Sequence, residues 1–342
     1  MADLASSLTV LDGLAAPIFG PSIAMNLVLE QVTKAAAGQL HVLISGESGT
    51  GREMVAREIH RRSRSSSAGF AKLNCTVRPP HELEIELFGN VNASVDGRSD
   101  EGRGLERIAR GCRLSDALGG TIFFEQLTHM PARVQARLAR VLRAGEVIVF
   151  HQREPVPLNL RAIGSVEQNY DQAVDEGRIR DDLHGLMSGV RINLLPLRNR
   201  REDVPALATC FIDEYCRRSH LSAKTLSESA RLLLSALPWH GNGTELRELM
   251  HGLVHRVRSE VIQLRDVLNA VEIDGRARPS VAHGTLREAR TAFEHEYIAA
   301  VLLQHHGRIP DAARTLGIQR TNLYRKLKRL RLTPSRGRPR ES

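Results

Sequence analysis

Leu40-His41-Val42-Leu43-Ile44-Ser45-Gly46-Glu47-Ser48-Gly49-Thr50-Gly51-Arg52-Glu53-Met54-Val55 is the stretch on which the fold turns. Residues 40–44 form a short apolar run of the kind that becomes a buried strand. Gly46, Gly49 and Gly51 then punctuate a loop, and Met54, Val55 and Ile59 continue at helical spacing. Strand, glycine-rich loop and helix in that order make a phosphate cradle, because backbone N–H groups and the helix N-terminus face the anion. The candidate cradle residues are Gly46, Glu47, Ser48, Gly49, Thr50, Gly51, Arg52 and Glu53. Arg52 stands where such loops usually carry lysine. Arginine keeps the charge but is larger and forked, so its reach to a β- or γ-phosphate does not follow from the pattern.

Around this stretch, 342 residues leave room for two or three domains. A 42% hydrophobic content supplies real cores and excludes wholesale disorder. No apolar run approaches the ~18 residues of a membrane span, and residues 1–10 lack the basic start and apolar core of a secretory leader. Cys75, Cys112, Cys210 and Cys216 fit the reduced thiols of a cytoplasmic protein better than a disulfide framework. Cys210 and Cys216 are six residues apart, which matches no common zinc pattern, and no metal site is expected from them.

The net charge of +9 is unevenly placed. Residues 307–342 hold eleven basic side chains against Asp311 and Glu341, while the first 306 residues carry 37 of each sign. A neutral body with one basic end points to a polyanionic partner for that end.

That end has a pattern of its own. Residues 286–306 carry Ala289, Phe293, Tyr297, Ala300 and Leu303 at helical spacing, and Gly307 stops the run. Pro310 opens a second helix through Ala312, Ala313 and Leu316, and Gly317 closes it, with Ile318 packing into the turn. A third helix follows, with Leu323, Leu327 and Leu330 inward and Asn322, Arg325, Lys326 and Arg329 outward. Two short helices joined by a glycine turn, the second basic on its exposed side, form a helix-turn-helix.

Residues 307–332 closely resemble the Fis-type helix-turn-helix of bacterial transcription regulators. The resemblance implies DNA as partner, with Arg320, Thr321, Asn322 and Arg325 at base edges and Lys326, Lys328 and Arg329 at phosphates. It also implies a dimer, since one recognition helix makes too little specific contact. The tail SRGRPR at 335–340 would add nonspecific phosphate contacts.

The body carries GESGTGRE, FAKLNC, ELFG, GGTIFFEQ, GRIRDDL, LPLRNRREDVPALA and LPWHGNGTEL in order. This series resembles the sigma-54 activators, the AAA+ bacterial enhancer-binding proteins, over residues 18–272. The resemblance implies an α/β P-loop unit with a parallel sheet and flanking helices, a helical lid and ring assembly. ATP or ADP would be the nucleotide, with Mg²⁺ as the accompanying ion. The expected organisation is an N-terminal tail 1–17, an α/β subdomain 18–190, a lid 191–272, a linker 273–285, the DNA-binding domain 286–332 and a basic tail 333–342. No receiver domain fits before Ile18, so control is expected from another protein or from expression level.

Carried over by position, the resemblance exposes substitutions. Glu125 and Gln126 stand for the Asp-Glu pair that holds Mg²⁺ and polarises water, and a neutral amide cannot act as a general base. Val166-Glu167 replace the sensor Thr-Asn. Arg180 is a candidate arginine finger, the second finger position is Leu186, and Thr244 replaces the lid arginine. Asn74, which couples nucleotide state to the sigma-contacting loop, is retained. That loop itself is replaced by residues 90–98, Asn-Val-Asn-Ala-Ser-Val-Asp-Gly-Arg.

Two readings follow: a DNA-binding regulator on a degenerate AAA+ body, working as a homo-oligomer or beside an intact relative, or a functional sigma-54-dependent ATPase. A P-loop phosphotransferase is disfavoured, since it leaves the basic end unexplained. Other features have plain structural expectations. Trp239 belongs to the lid core, His305-His306 cap a helix end, and Glu82, Glu84 and Glu86 form a solvated helix face. Asp181-Asp182 match the family's acidic pair after the finger arginine.

Overall fold

The structure, a computed structural model, describes residues 19–76, 79–90, 105–150, 152, 154–167, 170–273, 298, 301–302, 305 and 308–330. The N-terminal tail, residues 91–98 of the replaced loop, the linker beyond 273, most of the helix expected at 286–306 and the basic tail lie outside the described residues.

Two compact units divide between Pro196 and Leu197. The first begins with α1 (Ile23–Ala37), whose N-cap Ser22 accepts a hydrogen bond from the Met25 amide at 3.1 Å. Five parallel strands follow: β1 (Val42–Gly46), β2 (Phe70–Asn74), β4 (Thr121–Glu125), β7 (Arg161–Val166) and β8 (Val190–Leu194), while the short β3 (Arg107–Ile108), β5 (Glu146–Val149) and β6 (Val156–Pro157) form a separate sheet. The order across the five-stranded sheet is β2-β4-β7-β1-β8. Both faces are covered, so β4 and β7 are buried along almost their whole length. β8 pairs along β1 from Val42↔Val190 to Gly46↔Leu194.

Because the chain leaves β1 in one direction and returns beyond it as β8, the carboxyl end of β1 is the topological switch point. Open parallel sheets hold their ligands at such a crevice. The glycine loop sits there, ahead of α2 (Arg52–Arg62).

α3 (Pro80–Phe88) and α5 (Ala132–Ala144), with the short α4 (Arg113–Asp116) and α6 (Tyr170–Asp175), contribute to a core that includes Leu87, Phe88, Leu114, Phe124, Leu138 and Tyr170. Glu82 is exposed, as expected of a solvated face, but Glu84 and Glu86 are half-buried. Glu84 pairs with Arg137 and Arg133 of α5 at 3.2 and 3.4 Å, and Glu86 pairs with Arg113 at 2.9 Å. Arg137 also reaches Glu106 at 2.8 Å and lies over the Phe88 ring. Glu84 and Glu86 are turned toward arginines of neighbouring elements, which periodicity within α3 could not reveal.

In the second unit, α8 (Val204–Arg218), α9 (Glu228–Ala236), α10 (Asn242–Arg256) and α11 (Leu264–Ile273) form a helical array. Trp239 is buried there and its indole N–H donates to the Leu234 carbonyl at 2.8 Å, as expected of a core residue. At its C-terminal end, the helices Ile309–Thr315 and Arg320–Leu330 enclose Ala312, Ala313, Leu323 and Leu327 together with Ile298, Val301 and Leu302.

Candidate functional site

The loop after β1 has the backbone shape that a phosphate cradle needs. Gly49 and Gly51 adopt φ of 77° and 101°, in the left-handed region that glycine reaches without strain. At Gly46, a Cβ would sit 2.9 Å from the Thr50 Oγ1 and 3.0 Å from the Leu194 carbonyl, so only hydrogen fits. Thr50 closes the turn through its hydroxyl, which donates to the Glu47 carbonyl at 2.8 Å. Gly51 caps α2 without any side chain, so the N-cap residue itself supplies no acceptor to the first-turn amides of that helix. These features fit a bound anion at the helix N-terminus.

The charged side chains around the loop face one another. Arg52 is buried, and its Nη1 donates to the carbonyls of Gly46 and Val166 at 2.7 and 2.9 Å. It therefore ties the ends of β1 and β7 together. Burial lowers its pKa, and the charges of Glu167 and Glu125 act in the opposite sense.

Lys72 lies between two carboxylates, with Nζ 2.6 Å from Glu53 Oε2 and 2.9 Å from Glu125 Oε2. Glu53 is also held by Arg57 at 2.8 Å, and the Asn74 amide donates to Glu125 at 3.0 Å. For both Lys72 and Glu53, burial opposes ionisation, yet the hydrogen bonds and charges prevail. They hold the ammonium above and the carboxylate below their ordinary values.

The donor set does not fit Mg²⁺. The two carboxylates that could ligate it already share an ammonium, at distances proper to charge-assisted hydrogen bonds.

Lys72 is a residue that motif reading passed over. In β2 the burial alternates, so Phe70, Lys72 and Asn74 share the face opposite Ala71 and Leu73. Asn74 already marked that face, so its neighbour two residues back was the available signal.

The remaining positions are distributed around the same unit. Gln126 has φ 56° and its amide donates to the Ser165 hydroxyl at 3.0 Å. Arg180 precedes α7 (Asp181–Met187) and is exposed, with its guanidinium bonded twice to Asp182 at 3.0 Å. Buried Gln135 positions that segment by accepting from the Arg180 amide at 2.9 Å and donating to the Arg178 carbonyl at 2.8 Å. Leu186 packs against the core.

In the second unit, Thr244 is exposed near the start of α10. Asn242, another residue missed from sequence, is buried at φ 54° and accepts from the Leu197 amide at 2.7 Å.

On the last helix, Arg320, Thr321 and Arg325 are exposed, Asn322 and Lys326 are half-buried, and Leu323 and Leu327 face inward. Gly317 turns the chain at φ 66°, and Arg325 donates to the Asn322 side chain. His305 meets the Thr315 hydroxyl at 2.9 Å. The side chains of Lys328, Arg329 and Leu330, together with His306, lie outside the described set.

A parallel P-loop unit, a helical lid and a helix-turn-helix define an AAA+ protein with a DNA-binding end. Three family models match the chain in that order. They are the Sigma-54 interaction domain at residues 18–193, the AAA+ ATPase lid domain at 198–282 and the Bacterial regulatory protein, Fis family, at 289–330. DNA-binding transcriptional regulator NtrC of Escherichia coli (strain K12) is 32% identical, over 94% of this chain and 71% of that protein. Transcriptional regulatory protein ZraR of Klebsiella oxytoca is 33% identical, over 91% and 68%.

Among solved structures, NtrX from Brucella abortus in complex with ADP superposes with a TM-score of 0.67 at 28% identity, covering 92% of this chain and 69% of that one. A complex of the same protein with ATP matches equally well. The chain belongs to the sigma-54 interaction domain family and is one of its DNA-binding transcription regulators. No helix among the described residues is long and apolar enough to cross a membrane.

Proposed function

We propose that this chain regulates transcription through its helix-turn-helix while its AAA+ unit has lost most ATP hydrolysis and sigma-54 remodelling. The observation that carries the reading is the end of β4. Gln126 cannot take a proton from water, and Glu125 beside it is engaged by Lys72 and Asn74. Loss of a positioned base alone costs about 10²–10⁴ in rate. Arg180 bonded to Asp182, Leu186 packed against the core and Thr244 in place of the lid arginine add to it.

The glycine cradle supports retained binding of ATP or ADP. The body then serves as an assembly platform in the cytoplasm, as a homo-oligomer or beside an intact relative. Arg320, Thr321, Asn322 and Arg325 meet base edges, with Lys326, Lys328 and Arg329 on phosphates.

Purified full-length protein should turn over ATP at below about 0.1 per second, under the range of ordinary enzymes. A promoter reporter should respond to the protein equally in strains with and without sigma-54. Faster turnover, together with regulation that disappears without sigma-54, establishes the alternative, an ATP-hydrolysing sigma-54-dependent activator. Deleting residues 286–342 should abolish DNA binding, and retained affinity would refute the assignment of that end.

A further inference from the structure

We propose that the Lys72 ammonium is the resident cation of the nucleotide site, so that this chain takes its nucleotide as the metal-free polyanion. The inference rests on the reading that the glycine cradle binds nucleotide, and it names the form bound.

Three observations converge. First, Lys72 Nζ bridges Glu53 of α2 and Glu125 of β4, one carboxylate on each wall of the crevice. A divalent ion serving a nucleotide here would draw on the same pair. Mg²⁺ requires oxygen ligands at about 2.0–2.1 Å in near-octahedral array, whereas these two oxygens are fixed at ammonium distances. Second, the bridge is built into the sheet. Lys72 pairs with Phe123 and Asn74 with Glu125 in the β2–β4 register, so Lys72 and Asn74 rise on one face beside the carboxylate they hold. Third, the local charge is balanced without a metal. Arg52, Arg57 and Lys72 face Glu53, Glu125 and Glu167. A divalent ion would have to displace Lys72 and leave that ammonium half-buried without its partners, which is costly.

The chemistry of the ligand follows. A nucleoside di- or triphosphate would be met by the α2 amides and by an ammonium, with its oxygens not pre-neutralised by Mg²⁺.

The test is a titration of full-length protein with a fluorescent ATP analogue, in Mg²⁺ and in EDTA. Wild-type affinity should agree within about twofold between the two conditions. In Lys72→Met, and in Lys72→Gln as a second variant with folding verified by circular dichroism, affinity in EDTA should fall at least tenfold below that in Mg²⁺. A tenfold loss for the wild type in EDTA overturns the proposal. So does a pair of folded variants that remain indifferent to Mg²⁺.

Absence of analogue binding under both conditions would refute the nucleotide reading itself. The cation assignment is then decided by Mn²⁺ alone, counted by electron paramagnetic resonance. A site gained in Lys72→Met and absent from wild type supports it. A wild-type site abolished by Glu125→Gln, or no gain in the variant, overturns it.

Discussion

Arg52 illustrates how a like-charged replacement redirects a position. A lysine ammonium is a compact charge on a flexible stem, whereas the guanidinium is a planar fork that can satisfy two acceptors at once. Here Nη1 satisfies the carbonyls of Gly46 and Val166 in a buried setting. Its first duty in this fold is therefore to join two strand ends. Arg52→Met should leave both carbonyls short of a donor and destabilise the first unit by about 1–3 kcal/mol. Thermal denaturation would register this as a lower Tm, and an unchanged Tm would show that the bonds are dispensable. The replacement itself was legible in the sequence. Its destination was not, since Val166 lies 114 residues away and becomes a neighbour only when β7 aligns beside β1.

Among the elements, β1 and α2 emerged from an apolar run and glycine punctuation because those signals are local: a short apolar run bounded by glycines marks a buried strand, and φ near 77° or 101° favours glycine. Glu84 and Glu86 were misjudged as solvated because their arginine partners come from other elements, whereas Glu82 is exposed as expected. Asn242 escaped notice for a related reason. It opens α10 in a left-handed conformation and its carbonyl oxygen receives the Leu197 amide, 45 residues earlier. Asn242→Ala should remove that acceptor and put a residue less tolerant than asparagine of the left-handed backbone where φ is 54°. A loss of about 2 kcal/mol or more, read from the urea midpoint, is expected. Asn242→Gly tolerates the backbone and should recover part of it, and equal loss in both variants would assign the whole cost to the hydrogen bond.

For the whole molecule, charge is the property that organises function. The excess of +9 belongs to the last 36 residues, where Arg320, Thr321 and Arg325 are exposed on the final helix above the buried Leu323 and Leu327. DNA affinity should therefore fall steeply with salt, by about 10³-fold between roughly 50 and 200 mM if about six phosphates are contacted. A nearly flat dependence in fluorescence anisotropy would remove phosphate contact as its source. The amino-acid sequence by itself determined the class of each part: glycine spacing marked the cradle, motif order marked the family, and the run of basic residues on an amphipathic helix marked the DNA-binding end. Those signals survive in one dimension because they arise from neighbouring residues. Only the tertiary structure decided how the charges at the switch point are spent. Lys72 between Glu53 and Glu125, and Arg52 on the strand ends, depend on strand register, which joins residues far apart in the chain and sets their distances to a few tenths of an ångström.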